Sequence, residues 1–248
     1  MIISFVNQKG GVGKSTSAIN LAASLKRKNY SLVLIDADPQ GSIVQWHAVE
    51  NNNAFEILHH PEPLDQIDIK ELAADYDYVV IDAPPAIGDI ARSILEVSDL
   101  TIVPLSPSSL DIWSGWGTLE MIEEAKQTNP DMTVKLLINR KIPGTRVGRD
   151  AREAIEVFDT DILQTEMCQR VAFIDAMTSG VSVMQYSPTS KAAKEIESLT
   201  QEVILLTQKE GEAIEEEKEG FQADGWNSFP EPREEQEEPS PWHFRDGH

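Results

Sequence analysis

Cysteine is almost absent: the 248-residue chain has one, Cys168. A disulfide framework, a four-cysteine zinc site and a one-chain cysteine-ligated iron–sulfur cluster are thereby excluded. A reducing, cytoplasmic home fits. Long apolar runs are missing too. Runs such as Leu32–Ile35 and Val79–Ile81 are far too short to cross a bilayer. The opening residues, MIISFVNQKGG, lack the basic region and long apolar stretch of a secretory signal. Basic charge is scarce: 21 Lys and Arg stand against 42 Asp and Glu, a net charge of −21. Such a surface does not wrap nucleic acid as a whole, so a polyanion site has to be a local patch. No internal repeat occurs. What is present, 40% hydrophobic and 25% charged residues, suffices for one sizeable core.

The charge is uneven. Residues 1–35 hold five basic residues and no acid. Residues 209–248 hold 13 acidic and four basic residues, a net of −9, which leaves −12 on residues 1–208. The last stretch also lacks Leu and Val and contains the runs EEEKEG and PEPREEQEEPSPW. It cannot bury enough apolar surface to offset its ordering entropy, and is expected to be a disordered, acidic, Pro-rich tail. Phe221, Trp226, Phe229, Trp242 and Phe244 leave it two readings, a solubilising tail or a set of short docking motifs.

Upstream, strand-like and helix-like segments alternate. Strands are expected at Ile2–Val6, Leu32–Ile35, Ala54–Leu58, Tyr78–Ile81, Leu100–Leu105 and Val134–Ile138. Helical periodicity fits Ser15–Lys28, Asp65–Ala74, Ile90–Val97, Leu110–Thr128, Val147–Phe158 and Ser190–Thr207. The alternation predicts an α/β fold with a doubly wound, mostly parallel sheet flanked by helices over residues 1–208. The Gly-rich loop, Asp36, Asp82 and Asn139 all fall at the C-terminal ends of strands, where such sheets bind ligands.

Lys9-Gly10-Gly11-Val12-Gly13-Lys14-Ser15-Thr16 joins the first strand to the first helix. The G-x-x-x-x-G-K-[ST] pattern would have its first glycine at position 8, which is Gln8. The glycines have moved inward, but the physics of a phosphate loop survives. Gly10, Gly11 and Gly13 let backbone N–H groups converge on phosphate oxygens. The helix starting near Lys14 points its positive end at them. Lys14 has the reach for β- and γ-phosphates, and Ser15 is the Mg²⁺ ligand of the pattern.

Two further strand ends carry acids. Asp36-Ala37-Asp38-Pro39-Gln40 sets two carboxylates two residues apart, either as a pair facing phosphate and Mg²⁺ or as an Asx turn and cap for a helix over Ser42–Val49. Tyr78–Asp82 is an apolar strand ending in an acid suited to a Mg²⁺ water shell. Asn139-Arg140 ends the last strand, and a side-chain amide suits an adenine edge as well as a turn. Lys135, Arg140, Lys141, Arg146, Arg149 and Arg152 share their span with one acid, Asp150. With Arg146, Arg149 and Arg152 at spacing three, and Lys191 and Lys194 likewise, they form either a phosphate-backbone surface or a solvated basic face. Trp113 and Trp116, at helical spacing, read as core or subunit interface. Cys168 has no evident base partner and no catalytic role.

The Lys9–Thr16 segment resembles the deviant Walker A motif, KGGxGK[ST], of the ParA/MinD group of P-loop ATPases. Asp36–Gln40 is similar to that group's DxDPQ segment, Tyr78–Asp82 to its Walker B strand, and Asn139-Arg140 to its adenine-reading NR pair. The resemblance covers about residues 1–208. Leu105–Asp111 resembles the Pro-rich stretch of the small plasmid-type ParA proteins, which, like this chain, start directly at the first strand. The resemblance implies ATP and Mg²⁺ as cofactors. It implies a homodimer closed around two nucleotides, with Lys9 reaching the partner's site and Asp38 orienting the attacking water. Catalytic residues are then Lys9, Lys14 and Asp38, and Ser15, Asp36 and Asp82 attend the metal. It further implies non-specific binding to nucleoid DNA, a ParB-like adaptor that stimulates hydrolysis, and cargo such as a plasmid, a chromosome region or a carboxysome. The acidic body and the acidic tail depart from this pattern.

Rival members of the superfamily lack their marks. A membrane-bound regulator needs a basic amphipathic C-terminal helix, and the tail is acidic. An electron carrier needs paired cysteines. A tyrosine kinase needs tyrosines in its tail, and the last is Tyr186. A P-loop ligase has no need of Lys9. A nucleotide-gated protein–protein switch without DNA binding remains as the alternative. Replacing Lys14 with Ala is expected to abolish ATP binding; titration of the variant with a fluorescent ATP analogue at parental affinity would remove the phosphate-loop assignment.

Overall fold

The computed structural model describes residues 1–50, 55–86 and 88–224. The chain divides into a unit of residues 1–207 and a second of residues 208–248. In chain order the elements are β1 (Ile2–Phe5), α1 (Lys14–Arg27), β2 (Leu32–Asp36), α2 (Ser42–Glu50), β3 (Glu56–His59), α3 (Gln66–Ala74), β4 (Tyr78–Asp82) and α4 (Asp89–Val97). There follow β5 (Leu100–Leu105), α5 (Ser109–Ala125), β6 (Thr133–Ile138), α6 (Arg146–Arg149), α7 (Ala151–Ile155), a 3-10 turn (Glu156–Phe158), α8 (Val171–Thr178), α9 (Val183–Tyr186) and α10 (Lys191–Asp224). The six strands form one sheet, ordered β3-β2-β4-β1-β5-β6, and every pairing is parallel. The expected α/β, doubly wound sheet is what forms.

Alternation within the strands explains the layers. Ile3 and Phe5, Leu32 and Leu34, and Tyr78 and Val80 face one side, where α1, α8, α9 and the start of α10 pack. Ile2, Val33 and Ile35, and Val79 and Ile81 face the other, beneath α3, α4 and α5. A strand buried on both faces has no polar face, which is why β2 and β4 are apolar until their last residue. Ser4 is the exception inside β1; its hydroxyl meets those of Thr101 and Ser98 at 3.0 and 2.8 Å, so the polar group is satisfied in the core.

Register positions the site. Asp36 of β2 lies opposite Asp82 of β4, and Phe5 of β1 opposite the same Asp82. Three loops, after β1, β2 and β4, therefore leave the sheet at one level. The amide of Ala37 donates to the Asp82 carbonyl (3.1 Å) and that of Ala83 to the Phe5 carbonyl (3.1 Å), which extends the ladder one residue into those loops.

Several boundaries differ from the expectations. The helix over Val147–Phe158 is broken. Thr145 caps α6 through the Gly148 amide (3.0 Å), and Asp150 in a bridge conformation separates α6 from α7. Gly148 lies so close to Ile142 that a Cβ there would sit 2.2 Å from its carbonyl oxygen. The last helix runs on to Asp224 rather than stopping at Thr207. Glu, Lys, Gln and Ala dominate that extension, and these are strong helix formers. The remainder of the expected tail, residues 225–248, lies outside the described residues, as does Ala54 of the expected third strand.

Leu34 is wholly buried on β2, between β3 and β4. Leu34→Ala is expected to cost about 2–5 kcal/mol, since the neighbouring strands are hydrogen-bonded on both sides and cannot collapse into the cavity. Denaturant unfolding measures this; a cost under ~1 kcal/mol would mean the sheet interior repacks.

Candidate functional site

The phosphate loop leaves β1 with its start tied down. Asn7 donates to the Pro104 carbonyl (2.8 Å) and accepts from the Lys9 amide (2.9 Å), while the Gln8 amide donates to Thr118 of α5 (3.1 Å). Gly11 and Gly13 adopt φ values of +76° and +94°, where a side chain is strained. Gly13 precedes α1, so the first amides of the helix open toward the loop. Lys14 follows, 7% exposed, with its ammonium 3.5 Å from the Lys9 carbonyl. Burial lowers its pKa, and the charges of Asp82 and Asp38 oppose that shift.

Asp82 is fully buried, and neither carboxylate oxygen accepts a hydrogen bond among the described residues. Burial pushes its pKa up to about 7; the nearby Ser15 hydroxyl and Lys14 ammonium pull the other way without closing a hydrogen bond. A fully desolvated carboxyl without a partner is costly, and at the end of the strand beside the phosphate-loop strand a hydrated divalent cation would relieve it. Ser15 is the adjoining oxygen donor. No cluster of three or more His, Cys, Asp or Glu suited to a metal occurs among the described residues. That suits Mg²⁺, which keeps waters and takes phosphate oxygens with few protein ligands. Asp82 and Ser15 thus fit the metal expected of them.

Asp36 is engaged with the backbone. Its carboxylate is buried and accepts from the amides of Ile43 (2.9 Å), Val44 (3.2 Å) and Asp38 (3.3 Å). It holds the start of α2 and the turn before it, as the cap reading of this acid expects. Asp38 is different. One of its oxygens accepts from the Gln40 amide (2.9 Å), and its side chain is close enough to Lys14 and Asp82 for its charge to act on both.

Asn139 Nδ2 donates to the Val12 carbonyl (2.7 Å), and its Oδ1 accepts from the Arg140 amide (2.8 Å). The Arg140 guanidinium donates to the Gly11 carbonyl (2.6 Å). The pair braces the phosphate loop, and each polar atom of the amide keeps one further hydrogen-bonding position. A Cβ on Gly13 would meet Asn139 Nδ2 at 2.3 Å, a second reason for glycine there.

Beside the loop opens a pocket of about 360 Å³. Gly11, Gly13 and Thr16 form its polar end, and Met167, Phe173 and Met177 its apolar wall. A space with an apolar wall beside a phosphate loop has the form of a nucleoside site. No motif marks residues 167–178 in the sequence; they reach the site because the Lys141 and Met167 region pairs alongside the end of β6. Glu195 of α10 holds this segment through the Cys168 amide (3.1 Å) and an ion pair with Arg170. Burial and Glu195 push the Cys168 thiol up, which keeps it protonated and supports no catalytic role.

The basic residues are scattered among partners. Lys141 pairs with Glu166, and Lys135 with Asp161 (2.5 Å). Arg152 on α7 donates to the Leu163 carbonyl (2.8 Å) and faces Glu166 at 3.6 Å. Arg146 on α6 pairs with Asp150 (3.4 Å), and Arg149 reaches the Gly144 carbonyl (3.4 Å). The break at Asp150 removes the single helix face expected for Arg146, Arg149 and Arg152. Lys191 and Lys194 are exposed at the start of α10. Trp113 and Trp116 are not core: they are 68% and 46% exposed, with Trp116 edge-on to Phe158 at 4.9 Å.

The Asp82 carboxyl binds its proton more tightly in the folded protein, about 7 against 3.8 for an ordinary Asp. In Mg²⁺-free buffer its contribution therefore falls as pH rises from about 4 to 7, and is flat above. Asp82→Asn is expected to match the parent near pH 4 and to exceed it by roughly 4 kcal/mol at pH 8. Unfolding curves that stay parallel across this range would rule out the shift.

A family model described as the CobQ/CobB/MinD/ParA nucleotide binding domain matches residues 3–183. The "Maintenance of carboxysome distribution protein A" of Halothiobacillus neapolitanus is 32% identical over 209 residues, covering 82% of this chain and 95% of that protein. The chromosome-partitioning ATPase Soj of Thermus thermophilus is 26% identical over 240 residues, covering 84% and 96%. Among solved structures, an ATP complex of Cyanothece McdA shares the fold with a TM-score of 0.66 at 17% identity, covering 82% of this chain and 95% of that one. With the matched span running from β1 through the phosphate loop, all six strands and α8, the chain belongs to the CobQ/CobB/MinD/ParA nucleotide-binding family.

Proposed function

We propose that this chain is a Mg²⁺-dependent ATP hydrolase of the cargo-positioning and partition type, active as a homodimer closed around two ATP molecules. The observation that carries the reading is the buried Lys14 ammonium, set under a loop with two left-handed glycines and facing the unpartnered carboxyl of Asp82. The likeness to the carboxysome distribution protein and to Soj supports the cargo-positioning class.

In this reading Gly10 to Thr16 hold the phosphates with backbone amides, and Lys14 neutralises charge at the β- and γ-positions. Ser15 and the Asp82 shell hold Mg²⁺, which when bound screens the phosphate charge. The nucleoside rests in the pocket between the loop and α8. Lys9 acts across the dimer on the developing charge of the transferred phosphoryl group, which couples hydrolysis to dimerisation. Asp38 orients the attacking water; little more is required, because phosphoryl transfer depends on positioning and charge. A ParB-like adaptor stimulates turnover, and the ATP dimer holds nucleoid DNA without sequence preference.

A second reading, a nucleotide-gated protein–protein switch without DNA binding, has one observation in its favour. Lys135, Lys141 and Arg152 are committed to carboxylates or carbonyls, on a body already carrying −12. Asp38→Ala is expected to slow hydrolysis at least 100-fold and to accumulate the ATP-bound dimer, read by phosphate release and size-exclusion chromatography. Parental turnover would remove Asp38 from the water-positioning role. Binding to random-sequence duplex DNA separates the two readings: salt-sensitive binding with a non-hydrolysable ATP analogue but not ADP supports the DNA-bound cycle. No binding in either state leaves the protein–protein switch.

A further inference from the structure

We infer that His59 is a positioning residue for Asp38, holding the acid's main chain from the edge of the sheet. The inference rests on the reading of Asp38 as the water-orienting group. Strand β3 is the outermost strand on its side and pairs only with β2, its last residue His59 lying opposite Asp36. The His60 amide closes that pairing on the Asp36 carbonyl (2.9 Å). From this end the imidazole extends over the turn that follows β2, and its Nε2 stands 3.2 Å from the Asp38 carbonyl oxygen. A carbonyl only accepts, so this ring nitrogen carries the proton and donates.

The turn is built to meet the ring. Gly41, at φ +62°, donates its amide to the same Asp38 carbonyl (2.8 Å). A Cβ on Gly41 would lie 3.7 Å from His59 Nε2, so the turn passes directly beside the imidazole. Asp38 is thus held from below by the Asp36 carboxylate on its amide (3.3 Å) and from the side by His59 on its carbonyl. Without the ring, the contact from β3 to this peptide is lost and the carboxylate gains freedom to swing away from the attacking line. Small displacements of a group that orients a reactant reduce kcat and leave ground-state binding alone. His59 is exposed, so its replacement opens no cavity in the core.

The test measures steady-state ATP hydrolysis by the full-length chain with Mg²⁺ for three variants. His59→Ala is expected to lower kcat about tenfold with KM for ATP unchanged. His59→Gln, whose amide nitrogen reaches as far as Nε2, is expected to recover most of the loss, whereas the shorter His59→Asn is not. In an Asp38→Ala background, His59→Ala is expected to have no further effect, because the group it positions is gone. Parental kcat in His59→Ala while Asp38→Ala is inactive would overturn this inference and leave the Asp38 reading standing. Equal losses in the Ala and Gln variants, or a loss that persists undiminished in the Asp38→Ala background, would also overturn it. An Asp38→Ala protein as active as the parent would instead remove the reading beneath it, and the inference with it.

Discussion

The buried charges at the end of the central strands set the terms for the rest of the molecule. Among the described residues Asp82 has no hydrogen-bond partner, and burial lowers the pKa of Lys14, drawn into the same interior, against the opposing pull of Asp82 and Asp38. Neither group belongs there on grounds of stability, since an unpaired carboxyl in a sheet interior costs free energy. Their arrangement makes sense once phosphate oxygens and a hydrated divalent cation are added, because each residual charge then has an opposite. The protein holds an electrostatic deficit in place with a rigid, fully parallel sheet.

Rigidity comes from register. Asp36, Asp82 and Phe5 stand level across β2, β4 and β1, and amides just beyond the strands continue the ladder into the loops. The acids within these loops then divide their labour by what their oxygens already bond. Asp36, committed to three amides, is a structural cap; Asp82, committed to none, is available to a cation; Asp38, half committed, sits between. The Asn139-Arg140 pair adds a brace from β6 onto the carbonyls of Val12 and Gly11. Asp36 and Asn139 thus also belong to the scaffold that shapes the loop.

The outer surface follows a different logic. A basic patch legible in the sequence between positions 135 and 152 turns out to be largely neutralised locally, by Asp161, Glu166 and Asp150 from neighbouring segments. Of these, only the Arg146–Asp150 pair is exposed on both sides, and an exposed pair of that kind is worth little energetically; Arg152 is turned to the Leu163 carbonyl. The exposed Trp113 and Trp116 on α5 share their helix with Gly117 and Thr118, which abut Gln8 at the base of the phosphate loop.

By itself the sequence determined the class of fold and the place of the site. Strands that are apolar on both faces and end in Asp, a strand followed by Lys9–Thr16, and helices between them admit one architecture, because backbone periodicity and glycine requirements are local properties. The tertiary structure decided which carboxylate is bonded to backbone amides and which is left unpartnered among the described residues. It decided that Asn139 braces the phosphate loop, that a helix expected at Val147–Phe158 breaks at Asp150, and that the segment from Met167 to Thr178 lines a pocket beside that loop. Those outcomes depend on which amide or carbonyl from a distant segment arrives within hydrogen-bond reach. Partners such as Ile43 for Asp36, Val12 for Asn139 and Glu195 for Arg170 are brought together only by the packing of the sheet and its helices.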